Sequence, residues 1–164
     1  MKTQKITQTK KHTFLTVRES QVSYKPTLFE FPQMQNNIKT SQDSAEIIRR
    51  FIESYVDIEH REVFVCLSLN RRNKPISINL ISIGGVEGTV SDPKIIFQQA
   101  LLSGASAIIV GHNHPSGNTS PSEQDRITTK KLVEGGKLLS IALLDSLIIT
   151  PQSYTSFADD GLLY

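Results

Sequence analysis

The sequence predicts an α/β fold, a mixed β-sheet flanked by helices, on three observations. Stretches with helical apolar spacing alternate with extended apolar stretches along the chain. One of the extended stretches, 62–69, is apolar on both faces, as a central strand is. The alternation follows no strict strand–helix–strand repeat, which points to a sheet of mixed direction.

Residues 1–18 are rich in Thr, Gln and Lys with little apolar periodicity, and are expected to form a flexible basic leader ahead of a domain spanning 19–164. A strand is expected at Gln21–Lys25, ended by Pro26, followed by irregular chain to about residue 40. From Asp43, Ile47, Ile48, Phe51, Ile52, Tyr55 and Val56 fall on one helical face. Glu62–Leu69 is β-rich, and Arg71–Lys74 turns it into a strand at Ile76–Ile83 that ends at Gly84-Gly85.

Asp92-Pro93 marks a helix start, Asp as N-cap and Pro in the first turn, with a stop at Gly104. Ala105–Val110 is expected as a short buried strand that delivers His112 and His114 into a loop opened by Gly111 and stiffened by Pro115. A helix is expected from Ser122 to Gly135-Gly136, then two strands at about Leu138–Leu144 and Leu147–Thr150.

The 164 residues suit one domain, with 38% hydrophobic and 21% charged residues, ordinary for a soluble protein. No apolar run approaches the roughly 20 residues that cross a bilayer and no signal-peptide pattern opens the chain, so a cytoplasmic protein is expected. One cysteine, Cys66, excludes an internal disulfide framework and a cysteine-based zinc finger. A net charge of +2 is too small to argue for nucleic acid. The basic leader (Lys2, Lys5, Lys10, Lys11, Arg18) and the cluster Arg71, Arg72, Lys74 read as solvated segments.

The stretch GHNHPSGNTSPSEQD carries the chemistry. Two imidazoles, His112 and His114, and the carboxylate of Asp125 suit a borderline-soft divalent cation such as zinc. At i and i+2 on extended backbone the two rings lie on one side, about 6.6 Å apart at Cα. Three protein ligands leave a fourth tetrahedral position for water, the catalytic pattern. Asp125 has a competing role, because Ser122-x-x-Asp125 also reads as a capping box. That motif prefers the longer Glu or Gln, and the mismatch favours the metal. Ser122 as N-cap accepts a backbone N–H and keeps its O–H to donate, for instance to an oxyanion.

A metal-activated water needs a general base. Glu62 opens the most apolar strand, on the face of Phe64 and Cys66, and could be desolvated there; local sequence does not choose among Glu59, Glu62 and Glu87. Cys66 reads as a small core residue, and His12 and His60 as solvated. The stretch Gly84–Thr89 lacks nucleotide-fingerprint spacing and reads as a turn.

His112-x-His114-x10-Asp125, with Ser122 three residues before the Asp, resembles the JAMM motif of JAB/MPN-domain metalloproteins. GGVEGTVSDPKIIFQQAL, IIVGHNHPSGNTSPSEQD and LLDSLIITPQSYTSFADDGLL resemble the bacterial RadC branch, over roughly residues 41–164. The resemblance implies a JAB/MPN (cytidine-deaminase-like) fold and a zinc site with His112, His114 and Asp125 as ligands. It also implies Glu62 at the family's acidic position and Ser122 at that of its transition-state serine. The implied chemistry is hydrolysis of an amide, in a peptide or isopeptide bond of a protein substrate. Two departures stand out. Leu144-Asp145-Ser146 replaces the family's usual Leu-Asp-His, and the DNA-binding helix-hairpin-helix of longer members has no counterpart here. The family bears a DNA repair label. Asn113 stands where eukaryotic deubiquitinating members have Ser or Thr, so ubiquitin-like substrates are not inferred.

A zinc-dependent hydrolase of the JAMM type is the leading expectation. The alternatives are a DNA-processing or DNA-binding accessory protein, as a metal-dependent nuclease, and a non-catalytic interaction module. The loop 115–125 offers no basic residue to a nuclease, its charges being Glu123 and Asp125.

Overall fold

A computed structural model describes residues 36–85 and 88–163. The leader at 1–18, the strand expected at 21–25 and Glu87 lie outside these residues. Eight elements follow: α1 (Ser41–Glu53), β1 (Val63–Leu69), β2 (Pro75–Ile83), α2 (Pro93–Leu102), β3 (Ala107–Asn113), α3 (Glu123–Leu139), β4 (Ala142–Ile149) and β5 (Tyr154–Ser156).

The strands form one sheet in the order β2-β1-β3-β4-β5. β3 and β4 run parallel, joined by α3, and every other neighbouring pair is antiparallel. The expected mixed sheet flanked by helices is therefore the observed one. β1 is buried at all seven positions, because it lies between β2 and β3 with helices over both faces.

Alternation along the strands divides the core in two. One face sets Val63, Val65, Leu67, Ile109 and Leu147 against Ile47, Ile48, Phe51 and Ile52 of α1. The other sets Phe64, Cys66, Ile108 and Val110 against Ile96, Phe97 and Ala100 of α2 and Leu132 of α3. The chain is thus a three-layer α/β/α sandwich.

Several element boundaries differ from the sequence expectations. α1 begins two residues earlier, at a capping box made by Thr40 and Asp43, and ends at Glu53, so Tyr55 and Val56 lie beyond it. β3 runs through Gly111 to Asn113 and opens no loop there. A Cβ at Gly111 would lie 2.9 Å from Ile48 Cγ2, so the glycine serves close packing of α1 on the strand. α3 likewise continues through Gly135 and Gly136 to a left-handed cap at Ser140. A Cβ at Gly135 would meet the Phe97 ring at 2.7 Å, and one at Gly136 the carbonyl oxygen of Ile141 at 2.3 Å. Contact with neighbouring elements, which helix-stop rules ignore, explains both glycines.

Leu138 and Leu139 therefore close α3 instead of opening a strand. The two strands expected after it are one, β4, running straight through Asp145-Ser146. The polar pair tolerates burial because it is bonded. Asp145 Oδ1 accepts from Ser146 N (2.8 Å) and Ala158 N (3.0 Å), and Oδ2 from the Ser156 hydroxyl (2.6 Å). β5, which supplies that hydroxyl, had no sequence expectation.

Candidate metal centre

The parallel pair β3 and β4 presents its C-terminal ends toward the N-terminus of α3, the place where open α/β sheets put their sites. His112 lies in β3 opposite Phe64 of β1, and the two rings stack with centroids 5.7 Å apart at 9°. His114 follows the strand end, and its N–H still donates to Ile149 O at 3.1 Å. Gly117, at φ +75, then turns the loop back. The carbonyl of Asn118 thereby reaches His114 Nδ1 at 2.6 Å.

A carbonyl only accepts, so His114 Nδ1 carries a hydrogen, and it is Nε2 that is left facing the site, where it can offer a lone pair to a cation. His112 Nε2 lies 3.0 Å from His114 Nε2 and 3.1 Å from Asp125 Oδ1. Asp125 Oδ2 lies 3.7 Å from His114 Nε2. The ligand atoms of the three residues all fall within 4.8 Å of one another, the one such group of three or more among the described residues. Ligands 2.0–2.1 Å from a tetrahedral ion lie about 3.3 Å apart. A lone pair and a carboxylate aimed at one point also call for a cation between them. The residues fit a divalent metal. Among the described residues, buried His112 Nδ1 has no hydrogen-bond partner.

Asp125 fills both roles that compete for it in the sequence. Its Oδ2 accepts from Ser122 N at 2.8 Å, and its own N–H donates to Ser122 Oγ at 3.2 Å, closing a capping box. Oδ1 remains for His112, at 3.1 Å. In the sequence the metal is weighed against the box because the box prefers Glu or Gln. The structure completes both reciprocal bonds with Asp, so that mismatch does not decide between the roles. The Ser122 hydroxyl hydrogen is donated to Asp125 Oδ2 at 2.6 Å. Burial alone would raise the Asp125 pKa, but the His112 bond and charge and the two Ser122 bonds outweigh it. They hold the carboxyl well below the usual carboxylate range.

Glu62 sits just before β1, half-buried, and lines the same cavity of about 780 Å3 as His112, His114, Ser122 and Asp125. Burial pushes its pKa up; the nearby histidines pull against that and the Asp125 charge adds to it. A carboxylate raised in this way is a better proton acceptor than an ordinary one. Glu59 also lines the cavity but is exposed, so burial favours Glu62 as the base. Cys66 lies in the core with its thiol pushed up to about 12 by burial, as a packing residue should. His60 is exposed and outside the cluster, while His12 lies outside the described residues.

Two participants went unmarked in the sequence. Asn118 acts through its backbone carbonyl, which leaves no side-chain signal. Asn113 is fully buried between the two histidines and bonded to the segment before β1. A polar residue in a buried strand requires partners, and that requirement was its one available signal. Ser146 pairs in register with Val110 and accepts from the Thr129 hydroxyl at 3.1 Å. The place of the family's histidine is thus filled by a serine bonded to α3.

An α/β/α sandwich with a two-histidine, one-aspartate cluster at the end of its parallel strands is a domain of JAB type. The chain belongs to the RadC-like JAB domain family, whose model matches residues 38–162. It is 41% identical over 125 residues to a UPF0758 protein of Flavobacterium johnsoniae, covering 76% of this chain and 53% of that one. A UPF0758 protein of Methanosarcina acetivorans is 41% identical over 105 residues, 64% of this chain and 46% of its own length. One from Syntrophomonas wolfei is 35% identical over 131 residues, 80% and 56%. The chain spans about half the length of these curated relatives. Among the described residues no helix is long and apolar enough to cross a membrane.

Proposed function

We propose that this protein is a zinc-dependent hydrolase of the JAMM type that cleaves an amide, in a peptide or isopeptide bond of a protein substrate. The observation that carries the reading is the convergence of His112, His114 and Asp125 on one point open to a cavity that also holds Glu62. Zinc bound there would lower the pKa of a water toward about 7 and polarise the substrate carbonyl. His112 and His114 through Nε2 and Asp125 through its carboxylate would hold the ion.

Glu62 takes the proton that the attacking water loses and returns it to the amide nitrogen as the C–N bond breaks, leaving a carboxylate and an amine. Ser122 is the hydroxyl nearest the ligands that can serve the oxyanion, and it must turn from Asp125 Oδ2 to do so. Among the described residues, the acidic side chains lining the cavity are Glu59, Glu62 and Asp125, and no Lys or Arg lines it. That lining favours a neutral or cationic substrate over a phosphate backbone, which supports a peptide over the DNA-processing alternative.

Zinc content and cleavage of a peptide library by the purified chain test the reading, with His114→Ala and Glu62→Gln alongside. One ion per chain, lost in His114→Ala, and cleavage lost in both variants is the expected result. Full cleavage by Glu62→Gln would sink the assignment of the base.

A further inference from the structure

We infer that Asn113, between the two metal-ligating histidines, is a positioning residue that fixes the backbone carrying Glu62 against the histidine strand. Its role in turnover rests on the proposed reading of Glu62 as the base, whereas the clamp itself does not.

β1 and β3 pair from Phe64↔His112 onward, and Glu62 lies just outside that ladder. The two peptide groups that flank Glu62 expose four polar groups. Gly84 and Gly85 take two of them: Glu62 N–H donates to Gly85 O at 2.9 Å, and Gly84 N–H donates to Glu62 O at 2.8 Å. The Asn113 side chain takes the other two. Its Nδ2 donates to Arg61 O at 2.8 Å, and its Oδ1 accepts from Val63 N at 2.8 Å. A second Nδ2 hydrogen goes to Ile58 O at 2.7 Å.

The amide therefore stands in for the next residue of β3 and extends the ladder past the strand's end. Both peptides flanking Glu62 are held from both sides, and their rotation is blocked. Strand alternation explains the division of labour: His112 and His114 project toward α3 and the cavity, while Asn113 projects to the opposite face, under the 58–63 segment.

The chemistry of the position selects asparagine. Two carbonyls need two donors and one N–H needs an acceptor, which a carboxamide supplies from one end of a short side chain. These partners also decide the orientation of the amide, since a flipped group would set its oxygen against two carbonyl oxygens. Aspartate would lose both donors and place a charge beside Ile58 O and Arg61 O. The residue is 0% exposed, so water cannot replace what it supplies.

The test uses the full chain loaded with zinc. In the unchanged protein, the Asn113 side-chain amide hydrogens should exchange at least about tenfold more slowly than those of exposed Asn118. In Asn113→Ala, the Val63 amide should exchange at least about tenfold faster while that of Leu67 is unchanged, with zinc content held. Turnover of a cleaved library peptide should fall at least about tenfold in kcat at constant KM. Adding Asn113→Ala to Glu62→Gln should cost nothing further, because a residue acting only through Glu62 has nothing left to position.

Free exchange of the Asn113 amide in the unchanged protein would overturn the clamp even if the variant fails to fold. Unchanged Val63 exchange in a folded variant would overturn it too. A loss added on top of Glu62→Gln would assign Asn113 a purely structural effect and overturn the positioning role. Should Glu62→Gln hydrolyse normally, the base reading falls and the exchange measurements alone decide the clamp.

Discussion

Helices α1 and α3 begin with the same device and put it to different uses. Thr40 and Asp43 form a capping box at α1, with Asp43 N donating to Thr40 Oγ1 at 3.2 Å and Thr40 N to Asp43 Oδ2 at 2.9 Å. Ser122 and Asp125 repeat it at α3, at 3.2 and 2.8 Å. In both, the aspartate pKa lies below its ordinary value. At Asp43 the bonds from Lys39 N and Thr40 lead the lowering, and among the described residues Asp43 belongs to no cluster of candidate metal ligands. At Asp125 two imidazoles are added, and the carboxylate's second oxygen faces His112 at 3.1 Å. A helix start is a local object, and whether it is also a binding site depends on what the sheet places in front of it.

The largest contrast should come from removing one charge at each helix. Asp125→Asn is expected to abolish zinc binding and with it turnover, whereas Asp43→Asn leaves both intact; metal analysis of the two purified variants decides. Zinc retained in Asp125→Asn would reduce Asp125 to a cap and erase the distinction. Next in size is Glu62→Gln, which should lower kcat by about 10²–10⁴-fold with zinc still bound.

The far ends of the helices sharpen the comparison through stability alone. α1 ends in ordinary right-handed geometry at Ser54, whereas the last turn of α3 is packed against the start of β4. Gly136→Ala forces a methyl against the backbone of Ile141 and should destabilise the protein by about 1–3 kcal/mol, although alanine favours helix. Thermal unfolding that rises in this variant would contradict the close approach. Thr40→Ala should cost about 1 kcal/mol, or about 3–5 °C in Tm, with zinc content unchanged. Ser122→Ala should cost about the same and additionally slow turnover.

The smallest effect concerns pH. Both aspartates have folded pKa values below the unfolded value near 3.9, so each stabilises the fold fully above it. That contribution is lost as pH falls through the folded values. Metal-free protein should therefore lose Tm below about pH 4, and Asp125→Asn should flatten the loss more than Asp43→Asn, since Asp125 is held lower. An equal slope in all three proteins would remove the electrostatic difference between the helices.

Legibility followed the range of the interactions concerned. The both-faces-apolar run before Asn70 read directly as a central strand, and Asp92-Pro93 as a helix start, because burial and capping are written in neighbouring residues. The convergence of His112, His114 and Asp125 was legible from spacing, since alternation places the two histidines on one side of the strand. Glycines misled. Gly111, Gly135 and Gly136 read as punctuation, but each answers to an atom distant in sequence or beyond the helix end: Ile48, Phe97 and Ile141. Asp145-Ser146 read as a break between strands, because its satisfying partners lie in α3, β5 and the turn beyond.

The sequence alone determined the donor set, the class of ion it suits and the alternation of helix and strand, all consequences of side-chain chemistry and backbone period. Only the tertiary structure decided that Asp125 caps and faces the histidines at once, that Glu62 is the half-buried carboxylate beside them, and that Asn113 ties its segment to the site. These rest on burial and on contacts between residues up to 63 positions apart in the chain, Glu62 to Asp125. Such distances exist only once the sheet has closed around its core, when desolvation and convergence give ordinary carboxylates and one amide their separate tasks.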